Sequence, residues 1–227
     1  MLYIIATPIG NLKDISLRAL EVLTKADLIL TEDTRRGGLF LKGLNLPKKP
    51  FLSFYEHNEI KRIPQIIRLL KQGKEVVLLS QAGSPLISDP GLKLVRKCIE
   101  EGVPFTSLPG PSAVINAVIL SGLASDSFLF LGFLPRKKGK RIRKIRELKK
   151  FPYTLVIFES PQRIEETLKE LRAILGERRV CICREMTKIY EEVLRGDISQ
   201  LINSLSKRKI KGECTLVIEG AKDKQKV

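Results

Sequence analysis

The sequence predicts an α/β protein with two domains, on three observations. Apolar runs of strand length alternate with amphipathic stretches of helical length. The runs of the first half are apolar almost without interruption, as strands buried on both faces must be. Their ends are followed by loops rich in glycine, proline and small residues, where open α/β sheets present their ligand sites.

In order, residues 2–6 read as a strand. Ser16 then caps a helix carrying Leu17, Leu20 and Leu23 on one side, and residues 27–31 return as a strand. A helix at about 59–71, a strand at 75–80, a helix at 92–101 and a strand at 103–108 continue the alternation, so helical crossovers joining parallel strands are expected. After Pro111-Ser112-Ala113 an apolar helix runs to Ser121-Gly122, and there the pattern changes. Residues 128–133, 154–159, 180–184 and 214–219 read as strands, separated by a basic segment and by helices near 162–175 and 198–206. These features predict an N-terminal α/β domain over 1–112 and a C-terminal α/β domain over 113–227. Residues 222–227 read as a frayed tail.

A hydrophobic fraction of 43% in 227 residues suits a globular protein with a sizeable core. No stretch approaches the roughly 18 uninterrupted apolar residues of a membrane-spanning helix. The start, Met1-Leu2-Tyr3-Ile4-Ile5-Ala6, lacks the basic region of a signal peptide, so a cytoplasmic location is expected. Cys98, Cys181, Cys183 and Cys214 lie inside apolar runs without C-x-x-C spacing and read as small buried hydrophobes; no metal site is expected.

Charge is less ordinary. There are 41 Lys and Arg against 25 Asp and Glu, a formal +16. Residues 136–150, RKKGKRIRKIRELKK, hold ten bases and one acid; without them 31 bases face 24 acids, or +7. Such density, on a solvated helix or a mobile loop, attracts phosphate backbones through counterion release.

Four strand-end loops are candidates for one small-molecule cleft: 6–11, 31–35, 80–91 and 108–113. Glycine lets a backbone approach a ligand closely and proline pre-sets a turn. There is no G-x-G-x-x-G after the first strand, no G-x-x-x-x-G-K-[ST] and no G-x-S-x-G, which disfavours a dinucleotide dehydrogenase, a phosphate-loop NTPase and an α/β-hydrolase.

Taken together, Thr7-Pro8-Ile9-Gly10-Asn11-Leu12, Glu32-Asp33-Thr34-Arg35, Glu56-His57-Asn58-Glu59, residues 82–91 (AGSPLISDPG), Pro109-Gly110-Pro111-Ser112-Ala113, Gly132-Phe133-Leu134-Pro135, Glu159-Ser160-Pro161 with Arg163, Arg184-Glu185 with Thr187-Lys188, and Gly212-Glu213 resemble the family of ribosomal RNA small subunit methyltransferases I. The resemblance runs from about residue 3 to 220, with the motifs in order. It implies the tetrapyrrole methylase-like, class III methyltransferase fold, with a mostly parallel N-terminal sheet, a mixed C-terminal sheet and the cofactor in a cleft between the domains. It further implies S-adenosyl-L-methionine as cofactor, a cytidine 2′-hydroxyl of 16S ribosomal RNA as acceptor and a homodimer. Position by position, it implies cofactor contacts at Pro8, Ala82, Gly83, Ser84, Ile87, Ser112, Ala113 and Glu159, with Met186 and Thr215 added. Gln81 departs from the pattern, standing where an Asp is usual, and an acidic role at that position is excluded.

A ribose hydroxyl is a very weak acid, so methyl transfer to it benefits from a positioned proton acceptor. Glu32, Asp33 and His57 are the catalytic candidates, with Glu56, Glu59 and Asp89 also near strand ends. Glu32-Asp33 can equally pair with Arg35 or Arg36, and Asp89 before Pro90 reads as an Asx turn or a cap on the next helix at Gly91. Arg35, Arg36, Arg136, Lys137, Lys138, Lys140 and Arg141 are the expected RNA contacts, and Tyr55 or Phe54 could stack on a displaced base. The alternatives are a sibling methyltransferase acting on a tetrapyrrole or protein, and a ribosome-binding factor without catalysis.

Overall fold

In the computed structural model the chain forms two compact units, Met1–Ser112 and Ala113–Val227. Residues 1–206, 208 and 210–221 are described; the expected tail 222–227 lies outside them.

The first unit is a five-stranded, all-parallel sheet in the order β3-β2-β4-β1-β5, built from β1 (Leu2–Ile5), β2 (Leu28–Thr31), β3 (Phe51–Ser53), β4 (Val76–Leu79) and β5 (Phe105–Leu108). Four helices join the strands: α1 (Leu17–Lys25), α2 (Thr34–Gly43), α3 (Glu59–Lys71) and α4 (Leu92–Glu100). Both faces are covered. Leu2, Ile4, Leu30, Val76 and Leu78 pack with Ile63, Ile66 and Leu94 on one side, and Ile5, Ile29, Val77 and Leu79 pack with Leu23 and Leu41 on the other. This two-sided burial is why the strands read as unbroken apolar runs. Ser16 caps α1 as expected, its hydroxyl accepting the Ala19 N–H.

Two elements differ from the sequence reading. Helix α2 has three glycines and three cations among its ten residues, leaving little apolar periodicity to read. It packs because Gly37 has no side chain: a Cβ there would lie 2.8 Å from the Phe51 ring and 3.1 Å from Thr31. Strand β3 is three residues long, too short for a pattern.

The second unit opens with α5 (Ala113–Ser121). Its five-stranded mixed sheet runs β6-β7-β10-β8-β9, from β6 (Phe128–Phe133), β7 (Thr154–Glu159), β8 (Arg179–Arg184), β9 (Glu192–Asp197) and β10 (Cys214–Ile218). Only β6 and β7 pair in parallel. Helices α6 (Lys138–Glu147), α7 (Ile164–Leu175) and α8 (Ile198–Leu205) share a core with Leu155, Ile157, Ile182 and Leu216, while α5 lies against β8 and β10. Strand β9, EVLRGD, carries too few apolar residues to be read from sequence, as befits a sheet edge. All four cysteines are buried and free.

The basic segment is an ordered helix, and one of its cations is not at the surface. Arg141 is 2% exposed. Its guanidinium donates to Glu170 on α7 at 2.6 and 2.8 Å, to Glu166 at 2.8 Å and to the Arg136 carbonyl at 3.1 Å. Arg141 therefore fastens α6 to α7, which corrects its expected role as an RNA contact.

Candidate functional site

The carboxyl ends of the first unit's strands bring the four candidate loops side by side. Thr7, after β1, exchanges two backbone hydrogen bonds with Gly83, after β4, at 2.8 and 2.9 Å. The Thr7 and Ser80 hydroxyls lie 3.3 Å apart, and Ser80 donates to the Gly83 carbonyl at 2.6 Å. The loop after β5 closes on the first one: a Cβ on Gly110 would stand 3.0 Å from the Ala6 side chain and 3.2 Å from its carbonyl oxygen, close enough that the Ala6 turn would have to give by a few tenths of an ångström.

The loop after β2 is joined through side chains. Gln81 accepts from Arg36 Nη1 at 2.6 Å and donates to Glu32 Oε2 at 2.8 Å. Between these loops lies a hollow of about 190 Å³, lined by Thr7, Pro8, Leu12, Thr31, Phe40 and Leu79 among others, with Arg36 and Gln81 at its polar side.

Loop 80–91 is held in a demanding backbone path. Leu86 and Ser88 adopt left-handed conformations at φ 70° and 66°. Glu59 on α3 pins its far end: this buried carboxylate accepts the Gly91 N–H at 3.0 Å and pairs with Lys93 at 3.2 Å. The helix-capping role expected of Asp89 thus belongs to Glu59. Asp89 is left half-buried and without a side-chain hydrogen bond among the described residues, and burial together with nearby Glu32 pushes its carboxyl up to about 6.

The catalytic candidates separate. Asp33 caps α2, its Oδ1 accepting the N–H groups of Arg35 at 2.8 Å and Arg36 at 3.2 Å. Glu32 sits at the junction with Gln81. His57 and Glu56 are exposed on the turn after β3, at the sheet edge, with the Tyr55 and His57 rings 6.3 Å apart. Tyr55 is exposed, whereas Phe54 is core and removed as a stacking surface.

Of the expected cofactor residues, Pro8, Ala82, Gly83, Ser84, Ile87 and Ser112 fall on the clustered loops, with Ala82 and Ile87 exposed. Ala113 opens α5 in the second unit, where the other three are buried. The Glu159 carboxylate is taken up by the Ser160 N–H at 2.7 Å, Arg163 at 2.8 Å and the Thr167 hydroxyl at 2.7 Å, and so orients Arg163. Thr215 lies on β10, and Met186 sits between Glu185 and Thr187, both left-handed. Arg35, Arg136, Lys137, Lys138 and Lys140 are exposed, as a phosphate-binding role requires.

A parallel sheet whose strand-end loops meet around a hollow, followed by a mixed α/β unit, defines a class of two-unit α/β proteins that bind ligands at the carboxyl edge of the first sheet. Residues 1–202 match the family model described as Tetrapyrrole (Corrin/Porphyrin) Methylases, and the chain belongs to that family. It is 49% identical over 219 residues to "Ribosomal RNA small subunit methyltransferase I" of Thermotoga maritima, covering 96% of this chain and 98% of that one. The relative of the same name from Haemophilus influenzae is 46% identical over 223 residues, covering 97% of this chain and 78% of that one. Among solved structures, a cobalt precorrin-4 methyltransferase superposes with a TM-score of 0.70 at 18% identity, over 96% of this chain and 94% of that one. Uroporphyrin-III C-methyltransferase from Thermus thermophilus, complexed with S-adenyl homocysteine, gives 0.65 at 18%, over 96% of each chain. At that identity the two structures bear on the fold alone.

Proposed function

We propose that this protein is an S-adenosyl-L-methionine-dependent methyltransferase acting on a cytidine 2′-hydroxyl of 16S ribosomal RNA in the cytoplasm. The observation that carries the reading is the convergence of four strand-end loops at one edge of the first sheet, through the Thr7–Gly83 pairing, the Gln81 contacts and the close approach of Gly110 to Ala6, in a chain 49% identical to a relative named for small-subunit ribosomal RNA methylation.

The cofactor would supply a methyl group already activated by its sulfonium. Main-chain groups of residues 82–84 and 87, together with Pro8 and Ser112, fit such a ligand. They are small or conformationally fixed, and the loop carrying most of them is held by Glu59 and by the Thr7–Gly83 pairing before anything binds, so less entropy is lost on binding. Asp89 is the proton acceptor of this reading: its carboxyl is ionised at neutral pH yet basic enough to take the hydroxyl proton as the O–C bond forms. Arg35, Arg136, Lys137, Lys138 and Lys140 would hold phosphates of the RNA. Two copies of the chain would act together as a homodimer, a pairing for which the exposed Ile115 and Ile119 of α5 offer apolar surface.

Ribose methylation mapped in ribosomal RNA from cells with and without this protein tests the reading. One cytidine should lose its 2′-O-methyl group in the deleted strain. An unchanged map, with labelled methyl transferred instead to a tetrapyrrole or a protein, would overturn it.

A further inference from the structure

The hollow, with Gln81 and Arg36 at its rim and Glu32 bonded to Gln81, points to how the acceptor nucleotide is selected, an inference that rests on the RNA methyltransferase reading. We propose that Gln81 reads the Watson–Crick edge of the target cytosine, with its amide held in one orientation by Arg36 and Glu32.

An amide side chain normally turns over freely, offering oxygen and nitrogen in either order. Here it cannot. Arg36 is a donor only, so the Gln81 atom 2.6 Å from its Nη1 is the oxygen; the Glu32 carboxylate is an acceptor, so the atom 2.8 Å from its Oε2 is the nitrogen. Turning the amide over would set donor against donor and acceptor against acceptor. Two of its four hydrogen-bonding positions are thereby used, and one Nε2–H and one oxygen lone pair are left for a ligand. Gln81 is exposed and borders the 190 Å³ hollow, whose walls at Leu12, Phe40 and Leu79 are apolar and suited to a flat ring beside the loops that hold the cofactor.

An adjacent acceptor and donor in fixed order match the N4 amino group and N3 of cytosine. Cytosine N4–H donates to Gln81 Oε1 while Nε2–H donates to N3. Uracil presents the reverse order, a carbonyl at position 4 and an N–H at position 3, and meets like against like. The base cannot simply be inverted, because its ribose hydroxyl must remain where the methyl group is delivered. A base removed from its stack is commonly recognised through this edge. Glu32 and Arg36 are positioning residues here, acting through Gln81.

The test uses small ribosomal subunits reconstituted with either cytidine or uridine at the nucleotide identified by the methylation map. A bidentate pair discriminates by about 1–3 kcal/mol, roughly 5- to 150-fold, so the wild-type protein should prefer cytidine in kcat/KM by that factor. Gln81→Leu should bring the ratio close to one while calorimetry shows unchanged cofactor affinity. Glu32→Gln, which frees the amide to turn over, should also lower the ratio. A Gln81→Leu protein that keeps the wild-type preference overturns the inference and leaves the methyltransferase reading standing. Absence of transfer by the wild-type protein to either subunit overturns both.

Discussion

A half-buried carboxyl that takes up a proton near pH 6 acts on stability and on catalysis in opposite directions. Asp89 binds its proton more tightly in the folded protein, about 6, than at the ordinary carboxyl value of 3.8. Its stabilising contribution is therefore full below about pH 4 and is lost as pH rises through 6. Asp89→Asn should flatten this part of the pH–stability profile. Allowing for partial solvent screening, it should raise stability at pH 7.5 by roughly 1 kcal/mol in urea unfolding. Methyl transfer needs the ionised form, so the wild-type rate should climb through pH 6 to a plateau, and the Asn variant should lose that inflection along with most activity. At Gly91 the constraint is backbone: φ is 129°, and a Cβ would lie 2.8 Å from both Leu78 and Leu86. Gly91→Ala should cost about 2 kcal/mol or more by thermal unfolding, since conformation and packing both oppose it.

Helix α6 shows how one segment serves two physical roles. Arg141, Ile145 and Leu148 face inward, while Lys137, Lys138, Lys140 and Arg143 remain at the surface. Removing the main partner of a buried arginine leaves a charge in a poorly solvated place, so Glu170→Ala should destabilise the protein by about 3 kcal/mol in urea unfolding, whereas a substitution at Lys140 should be near neutral. Ten bases in 15 residues announce a polyanion surface, but which of them turns inward depends on Glu166 and Glu170, more than 20 residues away in sequence. Other elements show the same limit. The strands of the first sheet were legible because burial on both faces leaves an unbroken apolar signature. Helix α2 was not, because its packing relies on the absence of a side chain at Gly37, and neither β3 nor β9 was, one being too short and the other too polar.

For the molecule as a whole, the formal charge of +16 makes RNA binding salt-dependent. Replacing Lys137, Lys138, Lys140 and Arg143 together by glutamine should lower RNA affinity at all sequences. It should also reduce the slope of log affinity against log salt by up to about 3, at roughly 0.7 for each phosphate no longer neutralised. Cofactor affinity, measured by calorimetry, should not change. The sequence by itself determined the α/β class, the positions of most strands and helices, the loops that carry the site and the resemblance to methyltransferases, because apolar period and turn chemistry are local properties written in consecutive residues. Only the tertiary structure decided which acids and bases stand free. Asp33 and Glu59 went to helix caps, Glu159 to Arg163, and Arg141 to Glu170, while Asp89 was left beside Glu32 and Gln81 was locked between Arg36 and Glu32. A charged or polar side chain is defined by its partner, and these partners are brought together by sheet order and helix packing, which no stretch of neighbouring residues records.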